Sequence, residues 1–210
     1  MKVIDISWPI STATTGYKDR HIVKFIPIRE FAKDGLRETE MHLTSHTGTH
    51  VDSPAHFFKD GKTIDQIPLE RLVGRCKVLD FTAVSEMITR ERIEEHAAEI
   101  KEGDIILFKT INSAKSATEK FAPHFVYLEV SGAEALAEKK VKAVGIDYLG
   151  IERSQPGHLT HQTLMKHGIT IIEGLRLEYV KPGTYFFCCL PLNAIGLDAA
   201  PARAVLIEGL

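Results

Sequence analysis

The stretch His46-Thr-Gly-Thr-His50-Val-Asp52-Ser-Pro54-Ala-His56 sets three histidines and one aspartate within eleven residues. No other part of the chain constrains the fold as strongly. A helix is a poor host for it, because Gly48 and Pro54 interrupt the segment and Thr47, Thr49 and Val51 are β-branched. An extended path is expected instead, with His46, His50, Asp52 and His56 on one face and Thr47, Thr49 and Val51 on the other. Side chains two residues apart then sit roughly 6.5 Å apart and can share an ion, whereas four residues spread them over about 13 Å. Gly48 is the expected kink that shortens the step from His46 to His50. Imidazole and carboxylate are the usual non-sulfur ligands of zinc, manganese and iron, so the ligand set points to metal chemistry. The alternative is a chance cluster among ten histidines. The density of the cluster and its Gly and Pro residues argue against that.

The rest of the composition is ordinary. With 210 residues, 44% hydrophobic and 26% charged, the chain suits one soluble domain with a sizeable core. A net charge of −2 and no basic run leave no footprint for nucleic acid or an anionic membrane, which points to a small-molecule partner. A charge at Lys2 where a signal peptide needs an apolar run, with no membrane-length apolar segment, leads to the expectation of a cytoplasmic protein. Cys76, Cys188 and Cys189 form neither an even framework nor a C-x-x-C pair and read as reduced core residues.

Along the chain, Lys2 to Ser7, Ile22 to Ile28 and Glu38 to Ser45 alternate like strands, the last leading into the histidine stretch. Ser11 to Arg20 reads as a loop over a site, with Tyr17 as its one large side chain. A short helix is expected at Pro68 to Val73, and a longer one from Thr89 to about Ile100. Strands are expected at Cys76 to Phe81, Asp104 to Lys109, Phe125 to Val130, Lys142 to Asp147, Ile169 to Ile172, Tyr185 to Leu190 and Arg203 to Ile207. Ser131 and Glu134 form a capping-box pattern for a helix to Lys140, and Leu159 to His167 is a helix that stops at Gly168. Asn112 to Lys120 reads as a loop. Strand, helix and strand in quick succession point to β-α-β units, hence an α/β fold with a mixed, partly parallel sheet. Asp147 ends a strand where ligands tend to bind, but reads equally as a turn aspartate.

The stretch from His46 to His56 matches the pattern H-x-G-T-H-x-D-x-P-x-H and resembles the metal-dependent cyclase and bacterial kynurenine formamidase-like hydrolases. Asp5-Ile-Ser, Gly145-Ile-Asp147, His161, Ile172-Glu173-Gly174-Leu175 and the run from Pro191 to Leu206 resemble the family's other landmarks in order. The resemblance implies two divalent ions per chain, zinc first and manganese as the alternative, with His46, His50, Asp52, His161 and Glu173 as ligands. It implies His56 as the acid/base, and a homo-oligomer, dimer or tetramer. Without it, His161 reads as a surface helix residue and Glu173 as a salt-bridged strand end. Where the formamidases usually carry Trp followed by Gly-Asp, this chain has Thr15-Gly16-Tyr17-Lys18-Asp19, which makes Tyr17 the candidate aromatic wall for substrate. The family's Ser three residues beyond Asp147 is here Gly150. The implied reaction is hydrolysis of a small-molecule amide C–N bond by metal-activated hydroxide, arylformamidase-like. Opening of a cyclic amide, as in isatin hydrolases, or a related cyclase activity is the alternative. A metal-binding module without turnover is the reading from another class.

Overall fold

The computed structural model describes residues 1–20 and 22–209. The chain runs β1 (Lys2–Asp5), β2 (Lys24–Arg29), α1 (Phe31–Asp34), β3 (Glu38–His42), β4 (His50–Asp52), β5 (Val73–Asp80), β6 (Met87–Ile88), α2 (Arg90–Glu94) and β7 (Ile105–Lys109). It continues with β8 (Tyr127–Leu128), α3 (Val130–Glu138), β9 (Ala143–Ile146), α4 (Leu159–Lys166), β10 (Thr170–Glu173), β11 (Gly183–Pro191) and β12 (Ala199–Glu208). The apolar runs of β5, β7, β9 and β10 pair in parallel. Helices in the connections allow this by carrying the chain back along the sheet. β11, β12, β1 and β4 join antiparallel, in the order β1-β12-β11-β5-β7-β9-β10-β4. The α/β class with a mixed, partly parallel sheet is thus as expected.

One further pairing makes the sheet a ring. Three-residue β4, at one end of that order, bonds to β10 on one side and to β12 on the other, which closes the ring and leaves β1 outside it. Alternate residues then sort to two faces. The inner face holds Val51, Val78, Leu107, Ile172, Phe187 and Leu206 in one cluster with small Ala143, Ala200 and Ala204. On the outer face, Ile106, Phe108, Val144, Ile146 and Ile171 pack under Ile93 of α2, Leu136 of α3 and Leu164 of α4. Among the described residues no helix is long and apolar enough to cross a membrane.

Several expectations are corrected. The alternating runs at Ile22 to Ile28 and Glu38 to Ser45 do form strands, β2 and β3, but the second does not lead straight into the motif. β2 and β3 pair with each other as a separate hairpin, with every strand residue exposed, and β3 stops at His42 before the motif begins. The helix from Thr89 ends at Glu94, because His96, Ala97 and Glu99 donate to carbonyls three residues back and continue as tight turns. The capping box at Ser131 is replaced by Glu129, whose carboxylate accepts the Ser131 N–H at 2.8 Å, so that Ser131 lies inside the first turn. The strand at Phe125 to Val130 shrinks to β8. At the start of the segment expected as a loop, Ile111–Ala114 form a 3-10 turn held by the buried Asp147. That carboxylate accepts the Thr110 N–H and hydroxyl at 2.7 Å each and the Ser113 hydroxyl at 2.6 Å. Burial, against those donors, pushes the Asp147 carboxyl up to about 6. Of the cysteines, Cys76 and Cys189 are buried and Cys188 is half-buried.

The closed ring leaves no room at Gly145, where a Cβ would lie 2.7 Å from Leu175 Cδ1 and 2.8 Å from Leu107 Cδ2. Both neighbours are fully buried. Gly145→Ala is therefore expected to destabilise the protein by about 1–3 kcal/mol, read as a lower midpoint in urea unfolding. An unchanged midpoint would contradict the closed interior.

Candidate metal centre

β4 sets two of the motif's side chains on the outer face of the ring, since Val51 between them points into the interior. His50 is the register partner of Glu173 on β10, which brings an imidazole and a carboxylate side by side across the pair. α4 packs over this face and lowers His161 onto them. The result is a buried cluster. His50 Nε2 lies 3.3 Å from Glu173 Oε2 and 3.4 Å from Asp52 Oδ1, while His161 Nε2 lies 3.3 Å from Glu173 Oε1 and 3.6 Å from Asp52 Oδ2.

His46 and His56 reach the same place by turns. Gly48 takes φ +62°, a left-handed conformation that lets the chain fold back between His46 and His50, as expected of it. Pro54 opens the 3-10 turn Pro54–His56, which redirects His56. The His46 ring lies 4.9 Å from that of His50 and 4.2 Å from that of His56. Its Nδ1 is 3.1 Å from Asp52 Oδ1 and its Nε2 is 2.9 Å from Asp198 Oδ2. Thr49, on the far side of the turn, accepts the Trp8 N–H at 2.7 Å and donates to the Gly174 carbonyl at 2.5 Å, which ties the motif to the start of the chain and to the end of β10.

Whether these residues fit a cation is tested by their unmet valences. Both oxygens of Asp52, Nε2 of His50 and Nδ1 of His161 are fully buried and make no aligned hydrogen bond. His50 uses Nδ1 on the Gly48 carbonyl at 2.9 Å, which leaves the Nε2 lone pair facing the carboxylates. Orphaned donor atoms converging in a buried site are costly unless an ion completes them. His46 with Asp52 and His56, and His50 with Asp52 and Glu173, each bring donor atoms within 4.8 Å of one another, so Asp52 is common to two groups. Burial opposes charge throughout, yet His161 and His46 hold the Asp52 carboxyl far below its usual range and His161 and His50 hold that of Glu173 at about 2. In turn, Asp52 raises His46 to about 9 against burial. Two buried carboxylates remain ionised beside one another, a charge pattern that suits divalent ions.

A cavity of about 320 Å³ opens beside the cluster. His46, His56, His161 and Glu173 stand on one side of it, with Tyr17, Phe57 and Leu149 as apolar wall. The loop over the site holds Tyr17 against Phe121 with ring centroids 4.8 Å apart, and its hydroxyl sits 2.6 Å from Ser154 Oγ. Asp147 is not among the lining residues; its carboxylate is spent on the 3-10 turn. Two carboxylates were not singled out in the sequence. Asp198 touches both His46 and His56, its Oδ2 lying 3.4 Å from His56 Nδ1. Glu152 lies against His158 and His161. The one available signal was position, Asp198 directly before an apolar strand and Glu152 shortly after Asp147.

The chain is similar to known proteins in sequence and in fold. The chain is 34% identical over 209 residues to "Kynurenine formamidase" of Salinibacter ruber (strain DSM 13855 / M31), covering 98% of this chain and 97% of that one. Among solved structures it is similar to "The Structure Of Potential Metal-Dependent Hydrolase With Cyclase Activity", with TM-score 0.89, 42% identity and coverage of 100% and 98%. An isatin hydrolase bound to the product analogue thioisatinate shares the fold at TM-score 0.87 and 22% identity, with coverage of 99% and 93%. The family model Cyclase, "Putative cyclase", matches residues 4–153, which include the whole histidine motif. The chain belongs to this cyclase family, whose motif its central stretch resembles.

Proposed function

We propose that the protein hydrolyses the C–N bond of a small arylformamide of the N-formylkynurenine type, using two divalent ions held by His46, His50, Asp52, His161 and Glu173. The observation that carries this reading is the orphaned, fully buried Asp52, which is common to two groups of nitrogen and oxygen donors. Five ligands exceed what one catalytic zinc takes from protein, which fits two ions, and Asp52, common to both donor groups, would be held in common by them. Zinc leads and manganese is the alternative, since imidazole and carboxylate suit both. The amide substrate class is taken from the formamidase relative.

Bound divalent ions would supply Lewis acidity towards an amide carbonyl and a lowered pKa of water. The chain's own residues supply the rest. Burial sets His56 below the ordinary histidine value, with Asp52 opposing. It is therefore neutral at neutral pH and can accept a proton. With an Nδ1 proton turned to Asp198 at 3.4 Å, Nε2 is the base, and the same nitrogen returns the proton to the departing aryl amine. Tyr17 and Phe57 offer aromatic faces to an aryl ring, and the cavity admits a ligand of one or two rings.

Two substitutions separate the roles. His56→Ala is expected to keep its metal and lose about 10² to 10⁴ in kcat on an arylformamide, whereas His46→Ala is expected to lose metal. Release of metal by His56→Ala to the same extent as by His46→Ala would make His56 a ligand. Asp52→Asn, a neutral and poorer ligand at the shared position, is expected to lose metal and turnover together. Full metal occupancy in that variant would contradict the bridging role. Turnover of isatin with none of formanilide would favour the cyclic amide, and no turnover of either would favour a binding module.

The homo-oligomer is supported by the β2–β3 hairpin. It stands alone as two strands and exposes Phe25, Ile26, Ile28 and Met41, together with Phe31 of α1. Such a hairpin is marginal in water unless something covers it. A dimer or larger species is expected in sedimentation velocity; a monomer at micromolar concentration would count against it.

A further inference from the structure

Glu152 has no part in the ligand set just proposed, yet it is buried, with its side chain 1% exposed. A carboxylate out of water in that way demands compensation, and its partners show where it acts. Oε1 lies 2.5 Å from His158 Nδ1, Oε2 accepts the Thr160 N–H at 3.1 Å, and Oε1 is also the nearest carboxylate oxygen to the buried His161 Nδ1, at 3.2 Å but not aligned as a hydrogen bond. One carboxylate thus bonds His158 and places its charge beside His161 at the start of α4. His161 turns its other nitrogen to Asp52 and Glu173, and His158 lines the cavity with its ring 5.0 Å from that of Phe57. His158 is held at φ +49°, a backbone region that non-glycine residues seldom occupy.

We infer that Glu152 is a positioning residue, which keeps the His161 proton on Nδ1 so that the Nε2 lone pair faces the metals, and which clamps His158 as a wall of the same cavity. This rests on the metal-centre reading. The physical ground is that a neutral imidazole has one protonated nitrogen, and an anion beside Nδ1 settles which. The opposite tautomer would point an N–H at the metals. A ligating histidine backed by a carboxylate is also more basic, and loss of such a partner typically costs 10–100-fold in metal affinity.

The competing role is a cap of α4 through Thr160, which glutamine can also perform. Glu152→Gln keeps the volume and an acceptor oxygen for the Thr160 N–H. Its amide N–H₂ towards His161 can only donate, which forces His161 Nδ1 to accept and moves the proton to Nε2. Zinc affinity, measured by competition with a chromophoric chelator, is expected to fall 10–100-fold in this variant, with the far-ultraviolet circular dichroism of the folded protein unchanged. Unaltered zinc affinity in Glu152→Gln would overturn the inference. A second reading needs no variant: ring-nitrogen NMR of the zinc-loaded wild type is expected to show His161 protonated at Nδ1 and metal-bound at Nε2, and the reverse assignment would overturn it. Wild-type protein that binds no divalent metal would defeat the proposed function itself, which distinguishes the two failures.

Discussion

Two carboxylates, Asp52 and Glu173, are buried on one face of the sheet within reach of the same histidine nitrogens. Their mutual repulsion in a poorly solvated site is the constraint that the surrounding structure answers. Three histidines converge on them. In the metal-free protein, protonation of His46 and His161 offsets the negative charge, which is why those imidazoles are raised well above the usual histidine range. Divalent ions would replace those protons and give each lone pair a partner.

The ring closure makes that convergence possible. A three-residue strand would contribute little to an open sheet, but β4 is bonded on both edges and so is fixed in register with Glu173 on one side and with Pro201 on the other. Its inner residue, Val51, is locked into the interior cluster. A slip of one residue would send His50 and Asp52 inside and Val51 out, so interior packing specifies the metal face. α4 closes the face from outside. Leu164 anchors that helix in the outer core, and Glu152 holds its first turn.

The motif was legible because its polar residues are close in sequence and its kinks are written in Gly48 and Pro54. Equal parity correctly put His50 and Asp52 on one face, since they lie on a real strand. His46 and His56 reach the cluster through turns, so parity was the wrong reason for them. His161 and Glu173 lie more than a hundred residues away, and local pattern made them a surface helix residue and a strand end. Only the family resemblance pointed further. The α/β class followed from alternating strands and helices, but ring closure depends on a strand too short to announce itself. The β2–β3 hairpin shows the opposite error, because alternation reads as half-buried even where both faces are exposed. Asp198 and Glu152 were missed because a single acid in a connecting segment is indistinguishable from a solvated one until the fold brings histidines to it.

We propose that this cluster would hold two divalent ions, with Asp52 a ligand common to both. Anomalous diffraction at the zinc edge, from crystals of the zinc-loaded protein, tests it most directly. The account predicts two peaks on the outer face between β4, β10 and α4, both within ligand distance of Asp52. A single peak, or zinc bound away from Asp52 and Glu173, would contradict it.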